Sequence, residues 1–310
     1  MVLFSVIIPV FNRASLIETT IVSVFNQSFT DWEIIVVDDG STDGTHDVLI
    51  QYSDKIKVFY QQNHGPGAAR NLGINYAQGK YIVFLDSDDI WFPWTLSIFN
   101  EVIQANNYPS FIVGESVFFS NELEIQNIYS SAAKFNYYVD YYKYSHHSLQ
   151  PFIGAVAIHR ITLQQVGNFT DQWINSEDND LWLKLGICDG FVYIQSPVIL
   201  AYRQHESSAI ANITKTFQGT CYLIQQEKEG MYPGGNNRQI ERLNILTRHI
   251  RPVSLACLHH VAIQQAWVLY KKSFLWHIRL LRVKYLLIFP LLLCFAVLRE
   301  SWVIKLRATQ

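Results

Sequence analysis

Cysteine is scarce in this chain: Cys188, Cys221, Cys257 and Cys294 are the only four, and no two lie close together. Zinc sites and disulfide frameworks need cysteines at short, regular spacings, so the chain carries neither signature. Charged residues are also sparse, at 16% with a net charge of −2. With 49% hydrophobic residues, the composition excludes a disordered chain and suits one large domain, or one domain with an appendage. Long uncharged runs are missing too. Tyr285 to Leu298, YLLIFPLLLCFAVL, falls short of the roughly 18 residues of a spanning helix and is interrupted by Pro290. The opening MVLFSVIIPVFNR has no basic segment before its apolar run and no small-residue cleavage site, so it reads as a first strand rather than a signal peptide. The expected location is cytoplasmic, which makes Asn212-Ile213-Thr214 an accidental sequon.

The charge that is present is unevenly placed. Up to Asn237 there are 12 basic against 24 acidic residues, and from Arg238 onward 12 against 2, so −12 is followed by +10. An acidic body argues against a nucleic-acid partner. A basic, apolar tail suits an anionic membrane surface.

Lys80 to Asp89, KYIVFLDSDD, organises the rest. A run of apolar and β-favouring residues ends abruptly in Asp86, Asp88 and Asp89, which reads as a buried central strand delivering acids to its carboxyl end. In open α/β sheets that is where ligands sit. Three acids so close repel one another unless something positive intervenes. A divalent cation bridging to phosphate oxygens supplies that charge, since Mg²⁺ or Mn²⁺ accepts carboxylate and water ligands and needs only one or two protein carboxylates. The structural alternative is an acidic turn capping the helix after Pro93.

Around this strand, strands and helices alternate. Phe4 to Val10 is a strand, and after Phe11-Asn12-Arg13 a capping box, Ser15 with Glu18, opens a helix to about Gln27. Trp32 to Val37 is a strand, Asp38-Asp39-Gly40-Ser41 a turn, Thr45 to Tyr52 a helix and Ile56 to Tyr60 a short strand. Gly65-Pro66-Gly67 precedes a helix over Ala68 to Ala77. Trp91 to Asn106 reads as a helix with Pro93 in its first turn. Ser110 to Tyr129 reads as strands of mixed polarity. Phe135 to His147, FNYYVDYYKYSHH, has no clear period and reads as a loop or lid, either a packed aromatic patch or an acceptor-binding surface. Phe152 to His159 is a buried strand, Leu181 to Gly186 a helix with acids at its favourable end, and Phe191 to Tyr202 supplies the last strands. The pattern is that of an α/β fold with a mostly parallel, doubly wound sheet. Farther on, Leu255, Leu258, Ala262, Ala266 and Leu269 fall on one face of an amphipathic helix. Arg279, Arg282, Lys284 and Arg299 flank the apolar run, which favours interfacial membrane attachment; packing on the body, or an oligomer contact, is the alternative.

FSVIIPVFNR, VVDDGSTDGT, GPGAARNLG, FLDSDD and SEDNDLWLKL, in this order, resemble an inverting family 2 glycosyltransferase. The resemblance covers about two thirds of the chain. It implies a Rossmann-like GT-A fold, with a mostly parallel mixed sheet flanked by helices, as a catalytic domain over residues 1–217. Residues 218–310 are then a helical C-terminal extension. It also implies a nucleoside diphosphate sugar donor, UDP-linked, Mn²⁺ or Mg²⁺, and a glycan or lipid-linked glycan acceptor in cell-surface polysaccharide synthesis.

The chemistry needs a pocket for base and ribose, a cation for the diphosphate leaving group, and a base for the incoming hydroxyl. Pro9, Val10, Phe11, Asn12 and Arg13 and the turn at Asp38 and Asp39 fall at neighbouring strand ends. There Asp39 could accept from a uracil imide N–H, the role the resemblance implies, or simply form the turn. GPGAARN lacks the third glycine of a dinucleotide fingerprint, which falls at Arg70. Arg70 instead offers a cation near nucleotide or diphosphate; its structural alternative is an ion pair with Asp38 or Asp86. The resemblance implies that Asp86, with Ser87 beside it, lies near ribose and metal and that Asp88 ligates the metal, with His205 in YRQHESS as a further ligand. It also matches Glu177 and Asp178 to the family's acidic pair, with Asp178 as general base. Two other classes share this fold type. A nucleotidyltransferase needs a Gly-rich, basic first loop, which PVFNRAS is not. A catalytically silent sugar-nucleotide or glycan-binding protein would be expected to lose Asp88 or Asp178, and both are present.

Overall fold

The computed structural model describes residues 2–147, 151–204 and 212–308, with side chains described through Arg299. The chain divides into two compact units. The first comprises Met1–Tyr144, Leu149–Trp173 and Asp180–Ser208; the second comprises Ser145–Ser148, Ile174–Asn179 and Ala209–Gln310.

The first unit is built on an eight-stranded sheet. Its early strands are β1 (Phe4–Val10), β2 (Trp32–Asp38), β3 (Lys57–Tyr60) and β4 (Tyr81–Phe84). Later come β6 (Phe111–Gly114), β8 (Lys134–Tyr138), β9 (Val156–His159) and β10 (Phe191–Ser196), and the order across the sheet is β3-β2-β1-β4-β9-β6-β10-β8. β1, β2, β3 and β4 run parallel, β9 is antiparallel to both neighbours, and β8 closes the edge antiparallel to β10. β1 and β4 are buried at every position, as strands covered on both faces must be. Each fully buried Val or Ile there contributes about 1.5–3 kcal/mol. Helices α1 (Ile17–Phe25), α2 (Thr45–Ile50) and α3 (Pro66–Tyr76) connect the parallel strands. α3 lies tight on β1 because position 73 is glycine: a Cβ there would come within 2.5 Å of Ile7 Cγ2. A second sheet, β5 (Ile90–Trp91), β11 (Leu200–Arg203) and β7 (Ser116–Phe119) in that order, follows the acidic turn. Helices α4 (Thr95–Ala105) and α5 (Arg160–Val166) also belong to this unit, whereas α6 (Glu177–Lys184) has its first three residues in the second unit and the rest in the first.

Several expectations are corrected. The Ser15–Glu18 capping box does not form: the N-cap of α1 is Leu16, without a side-chain cap bond, and Glu18 Oε1 instead accepts from the Tyr52 hydroxyl at 2.8 Å. Pro93 precedes α4 rather than sitting in its first turn, because residues 90 and 91 pair as β5. The tyrosine-rich stretch is not a loop throughout, since β8 runs to Tyr138; the packed aromatic patch, one of its two expected forms, is present beyond it. Tyr141, Tyr142 and Tyr144 are buried, and Tyr141 and Tyr144 each lie 5.2 Å, centroid to centroid, from Phe191.

The second unit contains α7 (Ile213–Lys228), α8 (Gln239–His259), α9 (Ile263–Arg279) and α10 (Val283–Ala308). Asn212 of the sequon caps α7, its side chain accepting from Lys215 N at 3.1 Å. A buried ion pair joins α7 to α8: Arg242 donates to both Glu227 oxygens, at 2.7 and 3.1 Å. The amphipathic pattern from Leu255 to Leu269 is split between α8 and α9, the chain turning at Val261 with φ +59°. Pro290 lies inside α10; Tyr285 and Phe289 turn inward, with Tyr270 stacked 5.2 Å from Phe289.

Candidate active site

At the carboxyl ends of β1, β2 and β4 the first unit gathers most of the expected residues. Pro9 and Val10 end β1, and Val10 O accepts from Asp39 N at 2.8 Å, which ties the β1 end to the turn after β2. Phe11 is exposed, and Asn12 adopts φ +52°, a region that asparagine tolerates better than most residues. Its Oδ1 accepts from Thr42 N at 2.7 Å, while its own N–H donates to Ser41 Oγ at 2.9 Å. Asp38 Oδ1 accepts from Ser41 N at 2.8 Å.

The buried Asp39 carboxylate is engaged by its own chain. Oδ1 accepts from Gln61 Nε2 at 2.7 Å and His64 N at 2.9 Å, and Oδ2 from Gly65 N at 2.8 Å. It thereby pins the loop that leads into α3. Gly65 holds φ +89°, and a Cβ on it would come within 2.4 Å of the Trp173 ring. The indole thus lies directly on backbone at the start of α3.

Two of the three acids after β4 are paired with arginines. Arg70 Nη2 lies 2.7 Å from Asp86 Oδ1, and its guanidinium also covers the Phe169 ring at 5.4 Å. Arg13 Nε lies 3.2 Å from Asp88 Oδ2. The Asp86 and Asp88 side chains stay 28% and 19% exposed, accessible to a ligand, whereas Ser87 is buried. The third acid is different. Asp89 is buried, with Oδ1 accepting from Arg203 N at 2.9 Å and Oδ2 making no hydrogen bond. Burial, together with the charges of Asp86 and Asp88, pushes its carboxyl well above the usual range and so favours the protonated form.

Arg203 was not singled out from sequence, yet it holds the turn together: Nε donates to Asp88 O at 2.8 Å and Nη2 pairs with Glu122 at 2.9 Å. Its signal was its place at the end of the last strand, two residues before His205. His205 lies outside the described residues. Among the described residues, no group of three or more His, Cys, Asp or Glu could hold a metal ion. Asp86 and Asp88 still fit magnesium or manganese, which bind through one or two carboxylates and take their remaining oxygens from phosphate and water.

The second unit contains the acidic pair. Glu177 and Asp178 open α6, where negative charge is favoured by the helix dipole. Glu177 is buried and Asp178 only partly so, which makes Asp178 the more accessible acid. Asp178 Oδ1 accepts from Asn179 N at 2.7 Å and Asn179 Nδ2 at 2.9 Å, which orients the carboxylate.

Residues 5–161 match the model of glycosyl transferase family 2, and the chain belongs to that family. The Escherichia coli protein WfaP, named a UDP-Glc:alpha-D-GlcNAc-diphosphoundecaprenol beta-1,3-glucosyltransferase, is 30% identical over 217 residues, 68% of this chain and 81% of its own length. WfgD of the same organism, with the same named activity, is 32% identical over 217 residues, 68% of this chain and 80% of its own. Other relatives are matched over less of their length: an uncharacterized glycosyltransferase of Rickettsia conorii, RC0461, is 44% identical over 106 residues, 34% of this chain and 18% of its own. The aligned part is 15% to 37% of that relative and four others. Among solved structures, S. aureus TarS residues 1–349 in complex with UDP-GlcNAc has a TM-score of 0.56 at 18% identity, covering 88% of this chain and 91% of that one. The mannosyltransferase PcManGT from Pyrobaculum calidifontis, in complex with GDP-Man and Mn²⁺, has a TM-score of 0.56 at 18% identity, covering 96% and 87%. At these identities the likeness is one of fold.

Proposed function

We propose that this chain is a metal-dependent, inverting glycosyltransferase that moves a sugar from a UDP-sugar to a hydroxyl of a lipid-linked glycan. The observation that carries the reading is the pairing at the end of β4, where two accessible carboxylates, Asp86 and Asp88, are matched with two guanidiniums, Arg70 and Arg13. Asp86 and Asp88 would hold a divalent cation, which when bound supplies positive charge to the diphosphate leaving group. Arg13 and Arg70 then turn to the phosphate oxygens, where planar guanidiniums bind well. The β1 end and the Asp39 turn take the base and ribose. Asp178 takes the proton of the acceptor hydroxyl as that oxygen attacks the anomeric carbon and the bond to the diphosphate breaks. One displacement inverts the configuration. In this reading residues 1–217 are the catalytic domain and 218–310 the extension.

The named activities of WfaP and WfgD support a UDP-sugar donor and a diphospholipid-linked acceptor. The Mn²⁺ bound with GDP-Man in the PcManGT structure supports a divalent cation.

The C-terminal helices support attachment to the cytoplasmic membrane face. Among the described residues no helix is long and apolar enough to cross a membrane, yet Leu287, Leu291, Phe295 and Leu298 of α10 are all exposed. Lys284 and Arg299 flank them, the arrangement of an interfacial helix on anionic lipid. A cavity of about 640 Å³, lined by Val261, Ile263, Trp267 and Leu293 among others, lies beside them.

Two experiments test the proposal. Transfer from UDP-sugars to a polyprenyl-diphosphate glycan should require Mn²⁺ or Mg²⁺ and give an inverted linkage; transfer that persists in chelator, or with retained configuration, would overturn the mechanism. The Leu291→Glu, Phe295→Glu protein should stop co-sedimenting with phosphatidylglycerol vesicles. Unchanged co-sedimentation would reject α10 as the contact.

A further inference from the structure

Four observations converge on the segment that leads into the acidic pair. Ile174–Asn179 clusters with the C-terminal helices. Within it Ser176 adopts φ +85°, a left-handed conformation that costs a non-glycine residue on the order of 1–3 kcal/mol and persists only where the surroundings enforce it. The enforcing contacts come from α7 and α8. Ser176 Oγ lies 3.0 Å from His249 Nε2, and Asn175 Nδ2 donates to Thr216 Oγ1 at 3.0 Å. Gly219 of α7 meets the same segment from below: a Cβ there would come within 1.5 Å of Asn175 O, so only glycine permits this approach.

The hydrogen-bond roles can be assigned. Thr220 Oγ1 donates to Thr216 O at 2.8 Å, so its 3.3 Å contact with His249 Nε2 requires the proton on the imidazole. That N–H is shared with Ser176 Oγ. Burial pulls the imidazole down to about 4, so it is a neutral donor at physiological pH.

We infer that His249 is a positioning residue: its Nε2–H, with Gly219 and Thr216, holds the left-handed Ser176 that sets where Glu177 and Asp178 emerge at the start of α6. The inference rests on the assignment of Asp178 as the base. It gives part of the C-terminal extension, which matches none of the sequence motifs, a place in the chemistry through residues 175 and 176.

The test compares His249→Gln, whose amide keeps an N–H near the Nε2 position, with His249→Leu, which removes it. Ser176→Ala is the second probe, should His249→Leu fold poorly. His249→Leu and Ser176→Ala should each lower kcat between about tenfold and a hundredfold, the scale of a misplacement near 1 Å. UDP affinity and donor KM should stay within about twofold, and the double variant should be no worse than either single one. His249→Gln should recover most of kcat. Amide hydrogen exchange at residues 175–179 should quicken in His249→Leu and return in His249→Gln. Normal kcat and normal exchange in folded His249→Leu would overturn the inference. Quickened exchange without loss of kcat would overturn it as well, because the segment's position would then not matter to the reaction. Should Asp178→Asn itself transfer normally, the base assignment fails, and the exchange data still decide whether His249 holds the segment.

Discussion

Arg13 Nε and Asp88 Oδ2 lie 3.2 Å apart, although 75 residues separate them in the chain, so the ends of β1 and β4 are joined by an ion pair. The two side chains are only 23% and 19% exposed, so each needs a new partner when the pair parts. A donor carrying two phosphates and a cation can supply both. Arg13→Ala should weaken metal-dependent UDP binding by about tenfold or more, the worth of one charged hydrogen bond. Titration calorimetry reads this directly, and unchanged affinity would leave Arg13 a partner of Asp88 alone.

Asp178→Asn should keep donor binding while transfer falls about a hundredfold or more, the usual scale of general-base catalysis. A radiolabelled transfer assay run beside UDP titration separates the two effects. Retained transfer would move the base elsewhere.

Asp39→Asn tests whether that carboxylate acts through the loop it pins. Both of its oxygens accept from N–H groups, at Gln61, His64 and Gly65, and an amide turns one acceptor into a donor facing a donor. Urea unfolding should show a loss of about 1–3 kcal/mol, and UDP affinity should fall with it. Lost affinity at unchanged stability would instead point to direct contact with the base.

The strands that build this site were legible because each is a continuous apolar run stopped by polar residues, and β4 with its acids follows that pattern residue for residue. Arg70 was legible as a choice between ligand and ion pair, and the pair with Asp86 forms. What stayed hidden depends on contacts far apart in sequence. Nothing local marks Arg13 as the partner of Asp88, or His249 as the partner of Ser176. Ser15 looked like a cap, but Leu16 N and Ile17 N both donate to Arg13 O, so Ser15 is spent inside a turn before α1. The break at Val261 was invisible because a β-branched residue at positive φ is not a turn signal. The tyrosines lacked a period because they divide between an edge strand and a short 3₁₀ turn that pack on Phe191.

Acid should destabilise the helical unit. His277 is buried with neither ring nitrogen hydrogen-bonded; burial first, and then the charges of Arg251 and Arg282, pull its imidazole down to about 4. His249 is shifted in the same direction. The unfolded chain takes up these protons near 6.5 and the folded chain only near 4, so stability is lost as pH falls through that window. His277→Leu should reduce the drop in urea midpoint between pH 7 and pH 5, a window set by those two values. An unchanged drop would remove His277 as a source.

The measurement that bears most directly on the central claim is calorimetric titration of the full chain with UDP, GDP, ADP and CMP, with and without Mn²⁺, beside Asp88→Ala. Tight UDP binding that needs Mn²⁺ and disappears in Asp88→Ala is the expected result. Tight metal-dependent binding of GDP instead would change the donor and keep the site. Absence of nucleotide binding under every condition would contradict the assignment of the β1, β2 and β4 ends as a sugar-nucleotide site.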